Sequence, residues 1–379
     1  MMASGESAHR PCIGLIVNPI AGIGGRVGLK GSDGVEIQQQ ALALGAVPRA
    51  QQRTIEALEQ LRSVKDLQLV TYPGEMGGDA ARACGLQPHV IGAITAGSTT
   101  AQDTQAAARE MHRMGVELIL FAGGDGTARD IYKAIGESCP ALGIPAGVKI
   151  HSAVFGTNPR NAGELVAQYL QGRAPELREA EVLDIDEAAV RSGSVSAQLY
   201  GYLKIPYRPN LVQGLKSGSG PGERAAAASI AAAVADHMRE DWLYVLGPGT
   251  TVRAIATELG LKKTLLGVDV IQNKRLIASD VNEAQLLELI EGKRVRIVVT
   301  PIGGQGYIFG RGNQQISPRV IRYAGRENIT VVSTTAKIYA LGGRPLLVDT
   351  GERELDESLS GYIHVVTGYD QEMVYRVSY

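Results

Sequence analysis

Residues 123–127 read Gly-Gly-Asp-Gly-Thr, and they follow Glu117 to Ala122, an apolar run long enough for a buried strand. Thr127 then opens a segment with Ile131 and Ile135 at helical spacing. Strand, glycine turn and helix together present backbone N–H groups to a phosphate at the positive end of the helix. Glycine is needed because a Cβ blocks both the turn and the close approach of a phosphate. Gly123, Gly124, Gly126 and Thr127 are therefore candidate phosphate ligands. Asp125, when ionised, only accepts hydrogen bonds and can take a proton from a hydroxyl. The same four letters also describe an ordinary turn, and Asp-Gly marks hairpins. The continuous strand before and the helical spacing after argue against a hairpin.

Three further strand ends carry comparable chemistry. Cys12 to Val17 reads as a buried strand ended by Asn18-Pro19, and the glycine-rich stretch after it holds Arg26 and Lys30. That stretch is either a surface loop or a second phosphate cradle. Leu243 to Leu246 runs into Gly247-Pro248-Gly249-Thr250-Thr251 and a helix, a further candidate anion site with two hydroxyls. Arg296 to Pro318 is a strand followed by a loop with Gly303, Gly304, Gly306, Gly310 and Gly312, plus Arg311 and Asn313. Glycine density with polar donors favours a ligand loop there. Asp130, one turn into its helix, reads as a magnesium carboxylate or a solvated helix residue. Asp269, in the apolar run Leu265–Ile271, reads as functional or as a strand end facing water. Lys149, His151 and Lys216 have plain structural or surface readings beside functional ones.

The elements that position these residues alternate. Strands at 12–17, 67–72, 90–94, 117–122 and 141–147 interleave with helices at 53–61, 77–84, 101–114 and 160–171. The pattern predicts an α/β fold: a parallel sheet with helices on both faces and ligands at the carboxyl ends of its strands. Asn18, Tyr72, Gly123 to Thr127 and Pro145 to Gly147 should then crowd one edge. The pattern changes near Gln171 to Glu176, which places a nucleotide-binding domain at 11–172 and a second, mixed α/β domain at 173–379, with the active site in the cleft between them. The last strands, 362–367 and 373–377, are expected to pack back on the first domain.

With 379 residues the chain is long enough for two cores. Its 44% hydrophobic and 20% charged content is that of a globular protein, and a net charge of −1 gives no broad footprint for nucleic acid or anionic membrane. Cys12, Cys84 and Cys139 are scattered without a Cys-x-x-Cys pair, which argues against a zinc site or a disulfide framework and suits a reducing cytoplasm. The first ten residues lack a signal-peptide core, and no run reaches the roughly 18 apolar residues of a membrane span.

Through Gly123 to Thr127 the chain resembles the NAD kinase family, part of a superfamily shared with diacylglycerol and sphingosine kinases. It is most similar to the acetoin-catabolism-associated branch, where VNPIAGIGG near the start and TPIGGQGYIFGRGNQQISP near the end match as well. The resemblance implies ATP with Mg²⁺ as donor and NAD as acceptor, phosphorylated on the adenosine ribose 2′-hydroxyl. Asp125 would be the general base, or the group that orients the hydroxyl, and Asp125→Asn is expected to keep the fold and lose activity. The resemblance also places Asn18 near the nucleotide, gives Asn158 a loop position near the dinucleotide, and makes Gly247, Gly249, Thr250 and Thr251 the counterpart of a second-domain glycine-threonine loop. Asn282-Glu283 matches an Asn-Glu pair of NAD kinases in type, but its position at a helix start reads as a cap. Self-association is expected too. Ordinary NAD kinases have a mostly β second domain, whereas this one holds at least four helical segments. A kinase for another small-molecule or lipid hydroxyl, and a non-catalytic NAD(P)-binding or nucleotide-binding regulator, stay open. The lack of a basic amphipathic helix weighs against a lipid.

Overall fold

The computed structural model describes residues 10–29, 35–147, 150–173, 177–185, 197–208, 211–212, 221–302 and 305–379. Lys30, Lys149, Lys216, Gly303 and Gly304 lie outside the described residues.

The first unit runs β1 (Cys12–Val17), α1 (Val35–Ala43), α2 (Ala50–Leu61), β2 (Gln68–Thr71), α3 (Gly78–Ala83), β3 (His89–Val90), α4 (Ala101–Arg113), β4 (Leu118–Gly123), α5 (Asp125–Ile135), β5 (Ala141–Pro145) and α6 (Pro159–Leu170). Its five strands are all parallel, in the order β3-β2-β1-β4-β5. Every residue of β4 and β5 is buried, as a sheet covered on both faces requires. From β1 the chain first moves outward to β3 and then returns past β1 to β4. Right-handed crossovers therefore put α2 and α3 on one face and α4 and α5 on the other. Local chemistry fixes the helix starts. Thr100 and Asp103 form a capping box on α4, and Asn158, followed by Pro159 at the first position, caps α6. α6 returns to the α2 face, and Gly163 lets it approach closely because a Cβ there would collide with Ala57 O. Val90–Ile94 was expected as a strand, but only His89–Val90 pairs, at the exposed sheet edge.

An antiparallel hairpin follows, β6 (Leu177–Ile185) with β7 (Ala197–Pro206). Its Ala180, Val182, Leu203 and Ile205 join the apolar core of the first sheet. The packing unit thus runs past residue 172, where the composition change placed the boundary.

The second unit holds α7 (Pro221–Asp236), β8 (Leu243–Leu246), α8 (Thr250–Glu258), β9 (Asp269–Gln272), β10 (Arg275–Ala278), α9 (Glu283–Ile290), β11 (Val295–Val299), β12 (Tyr307–Phe309), α10 (Pro318–Ala324), β13 (Ile329–Val332), α11 (Thr335–Ala340), β14 (Leu346–Val348), α12 (Arg353–Leu359), β15 (Gly361–Gly368) and β16 (Gln371–Ser378). Its sheet is mixed, in the order β10-β9-β8-β11-β13-β15-β16-β14-β12, and β8, β11, β13 and β15 form a parallel centre. The last strands complete this sheet, with Val365 and Val377 in its core, rather than packing back on the first unit. Among the described residues no helix is long and apolar enough to cross a membrane.

Candidate active site

α5 starts directly after the glycine turn. Its N-cap, Gly124, has no side chain to satisfy the N–H groups of the first helical turn. A Cβ on Gly123 would run into the Thr127 side chain, and one on Gly147 would sit 2.8 Å from Gly124 Cα. The turn is closed against the loop after β5, where the Ala146 and Gly147 N–H groups both donate to Gly123 O, at 2.9 and 3.0 Å. Asn18 joins them: its Nδ2 donates to Thr127 Oγ1 at 3.0 Å, and its N–H to Ala122 O at 3.0 Å. The expected convergence of strand ends at one edge is present for these residues. Tyr72 too follows its strand at that edge, but its side chain turns to α4, where its hydroxyl donates to Glu110 at 2.8 Å.

Asp125 is buried and heavily engaged. Its Oδ1 accepts from Ser152 N at 3.0 Å and Ser152 Oγ at 2.6 Å. Its Oδ2 accepts from His151 N at 2.7 Å and lies 3.2 Å from His151 Nδ1. Ser152 Oγ also accepts from Leu183 N of the hairpin at 3.0 Å, which holds the 150–152 loop over the carboxylate. Gln305, from the loop after β11, donates to Ile150 O at 2.5 Å and brings the second unit to the same place.

A cavity of about 450 Å³ opens between the two units, against Ala146 and Gly147 of the loop that closes the glycine turn. The first unit contributes Gly22, Gly25 and Arg26 from the loop after β1, Arg49 and Arg53 from the start of α2, and Gly147. The second contributes Asn282 and Glu283, Ser317 and Arg319, and Asp349. The Glu283 N–H donates to Arg26 O at 3.1 Å, so the loop after β1 is hooked to α9. Asn282 is a capping residue, as its position suggested: it accepts from Gln285 N at 3.0 Å in a capping box. Asp349 is buried with Arg53 and Arg311. Burial works to raise its pKa, but the two guanidinium groups outweigh it and hold the carboxyl below its ordinary value. Burial lowers the pKa of Arg49, and the like charges of Arg26 and Arg53 lower it further. The wall is therefore cationic by construction, and an anion relieves the crowding. The hydroxyl of Ser317, 1% exposed on this wall, has no protein partner.

Other expected residues sit elsewhere. Asn158 caps α6, accepting from Asn161 N at 2.8 Å. Asp130 accepts from Gln105 of α4 at 3.1 Å, between two helices. Asp269 is neither exposed nor at the cleft: it accepts from Thr264 N, Thr264 Oγ1 and Asp280 N at 2.7–2.8 Å, with Lys263 Nζ 3.9 Å away. Residues 264–268 wrap around that ammonium, which donates to Thr264 O and Gly267 O, and the expected strand accordingly starts only at Asp269. Among the described residues no group of three or more His, Cys, Asp or Glu side chains could hold a metal ion. Arg49, Arg53, Asp349 and Ser152 were not singled out by sequence. Arg53 alone carried a signal, a charge at the helical spacing of the apolar residues of α2.

The ATP-NAD kinase N-terminal domain model matches residues 13–174, and the ATP-NAD kinase C-terminal domain model matches residues 239–377. No curated protein matches the chain. Among solved structures, one described as a diacylglycerol kinase from Bacillus anthracis str. Sterne is 15% identical, with 47% of this chain and 46% of that chain covered, at a TM-score of 0.25. Another of the same description is also 15% identical, with 48% of each chain covered, at a TM-score of 0.24. The chain thus spans about half the length of these structures, a likeness too slight to carry an argument. Matched in both halves, with a Gly-Gly-Asp-Gly-Thr turn at the carboxyl edge of its first sheet, the chain belongs to the ATP-NAD kinase family of kinases.

Proposed function

We propose that this kinase transfers the γ-phosphoryl group of ATP to the 2′-hydroxyl of the adenosine ribose of NAD, giving NADP. One observation carries the reading: an arginine-lined cavity of about 450 Å³ opens against Ala146 and Gly147, whose N–H groups close the glycine turn before α5. Its size suits a nucleotide-scale ligand. Arg26, Arg49 and Arg319 would neutralise phosphate charge, and the first-turn N–H groups of α5 would bind phosphate oxygens. Phosphoryl transfer asks the protein mainly for such positioning and neutralisation.

Asp125 would accept the proton of the attacking hydroxyl. The hydroxyl would take the place of the His151 ring at Oδ2, while the Ser152 and His151 N–H groups keep the carboxylate aimed. Magnesium bound on triphosphate oxygens needs one or two carboxylates from the protein. Glu283 lines the cavity and fits that need, whereas Asp349 is already neutralised by arginines. Bound there, the ion supplies charge neutralisation.

The test is ADP release from Mg-ATP with NAD, with NADH and without acceptor, with NADP followed separately. NAD-dependent ADP release matched by NADP formation supports the proposal. A second reading, a nucleotide-binding regulator without turnover, is favoured by the three donors and the His151 ring already around Asp125. It is the outcome if calorimetry shows NAD binding and no acceptor releases ADP.

A further inference from the structure

Two glycine loops of the second unit read as ligand loops in the sequence. The one after β8 closes on its own unit, where Lys337 of α11 donates to Thr251 Oγ1 at 2.9 Å and to Thr250 Oγ1 at 3.4 Å. The one after β11 crosses to the first unit through Gln305. That side chain is 4% exposed, and its two polar ends differ in what they meet. Nε2 donates to Ile150 O, whereas Oε1 is buried without a partner. An orphaned buried acceptor costs at least as much as one hydrogen bond contributes. The glutamine therefore adds little net stability, and what it supplies is a fixed position for Ile150.

Ile150 immediately precedes the groups that hold Asp125. The N–H groups of His151 and Ser152 both donate to that carboxylate, at 2.7 and 3.0 Å. One end of this grip, Ser152 Oγ, is tied to Leu183 of the first unit's hairpin. The other end, Ile150 O, is tied to Gln305 of the second unit. Gln305 is itself firmly seated. Its N–H donates to Ile302 O at 3.2 Å, Ile302 N donates to Tyr307 O at 2.9 Å, and Gly306 O accepts from Leu347 N at 2.8 Å. β12, which follows, is buried throughout and pairs with β14, the strand that leads into Asp349 and its ion pair with Arg53 of the first unit. The donor to Ile150 thus sits on a packed sheet edge already bound to the first unit, as accurate positioning requires.

We propose that Gln305 is a positioning residue for Asp125: through this one amide the second unit sets the 150–152 loop, and with it the aim of the carboxylate. Docking of the two units and alignment of Asp125 are then one event. The consequence for turnover rests on the kinase reading, and the hold on the loop does not.

The experiment compares Gln305→Met with the unmodified full-length protein. Methionine keeps the length of the side chain and removes the donor. It exchanges the orphaned Oε1 for an orphaned Ile150 O, so the urea midpoint should barely move. Hydrogen exchange at the His151 and Ser152 amides, read by mass spectrometry on peptides that carry them, should quicken several-fold, because the loop opens locally. In the ADP-release assay kcat should fall about tenfold or more, the scale of a small misplacement of a reacting group, with KM for ATP within about twofold of the unmodified value. A merely structural role would lower the urea midpoint and raise KM along with any loss of kcat. If the unmodified protein turns over no acceptor, the kinase reading fails and exchange alone decides: faster exchange supports the hold on the loop. Unchanged exchange overturns the proposal with or without turnover, and so does an unchanged kcat in an active enzyme. Gln305→Leu is read in the same way if Gln305→Met does not fold. A chain that folds with neither needs Gln305 for stability, which overturns the proposal as well.

Discussion

Arg53 and Asp349 lie 296 positions apart in the chain and meet in a bidentate ion pair, with both N···O distances 3.0 Å. Arg311 binds the same carboxylate at 3.1 Å and reaches Thr157 O at 3.4 Å. One buried carboxylate therefore ties α2 of the first unit to a strand end of the second. It also fixes two guanidinium groups beside the cavity. The positive wall is held by packing, and no ligand is needed to keep it in place.

Removing either partner should be costly. Asp349→Leu leaves two buried guanidinium groups uncompensated, and we expect about 3–5 kcal/mol of destabilisation in urea unfolding, whereas Arg53→Met leaves Asp349 paired with Arg311 and should cost less. The double variant should lose less than the sum, because it leaves one unpaired guanidinium, Arg311, where Asp349→Leu alone leaves two. Asp349 also predicts an acid limb. Its folded pKa is depressed, so its contribution is complete above its unfolded pKa of about 3.9 and is lost as pH falls through the folded value. Asp349→Asn should flatten that limb, and an unchanged acid midpoint would refute the assignment.

Asp125→Asn is no longer expected to leave the fold untouched. The substitution turns one of the two carboxylate oxygens into a donor, which faces either the His151 N–H or the Ser152 N–H and hydroxyl. Leaving such groups unpaired costs about 1–3 kcal/mol, which should show in the thermal midpoint alongside a loss of turnover by orders of magnitude. Ser152→Ala is the informative companion, because it removes the hydroxyl's bonds to Asp125 and Leu183 and keeps the carboxylate. It should retain measurable turnover with a modest loss of stability. Turnover abolished as fully as in Asp125→Asn would move the chemistry from Asp125 to the loop.

The sheet of the first unit was legible because its strands are continuous apolar runs and its turns are glycine-rich, both local signals. The Asn18–Thr127 contact followed from topology alone, since parallel strand ends must share an edge. What was hidden is non-local. Nothing near Asp349 indicates that Arg53 and Arg311 converge on it, and nothing in His151-Ser152 indicates that both backbone N–H groups face Asp125. The Val182 and Leu203 faces of the hairpin read equally well as the start of a second core, and only packing assigns them to the first. Asp269 was ambiguous for the same reason: its neutralising lysine is six residues away, folded back by an irregular loop.

Lys263 gives a prediction at high pH. Burial lowers its pKa to about 8, against the opposing pull of Asp269 and Asp280. Between that value and the ordinary lysine value of about 10.4, the unfolded chain holds a proton that the folded chain has released. Stability therefore gains a component that rises with pH across this window. Lys263→Met should remove that component, visible as the difference between the two proteins' urea midpoints from pH 7.5 to 10.5. A difference that stays constant over this range would mean that Lys263 keeps an ordinary pKa.

Gly22 and Gly45 separate backbone strain from collision. Both have positive φ, 76° and 80°. An alanine at 45 meets nothing within 4 Å, whereas one at 22 would drive its Cβ into Ala146 O, the carbonyl beside the glycine turn. Gly45→Ala should cost about 1 kcal/mol, the left-handed backbone penalty alone. Gly22→Ala should cost more, and although both glycines line the cavity, only the Gly22 collision displaces Ala146 O beside the glycine turn, so Gly22→Ala should weaken nucleotide binding more than Gly45→Ala. Calorimetric titration with ATP next to urea unfolding measures both effects. Equal stability costs with unchanged binding in Gly22→Ala would show that the loop after β1 gives way freely and has no part in holding the phosphate wall.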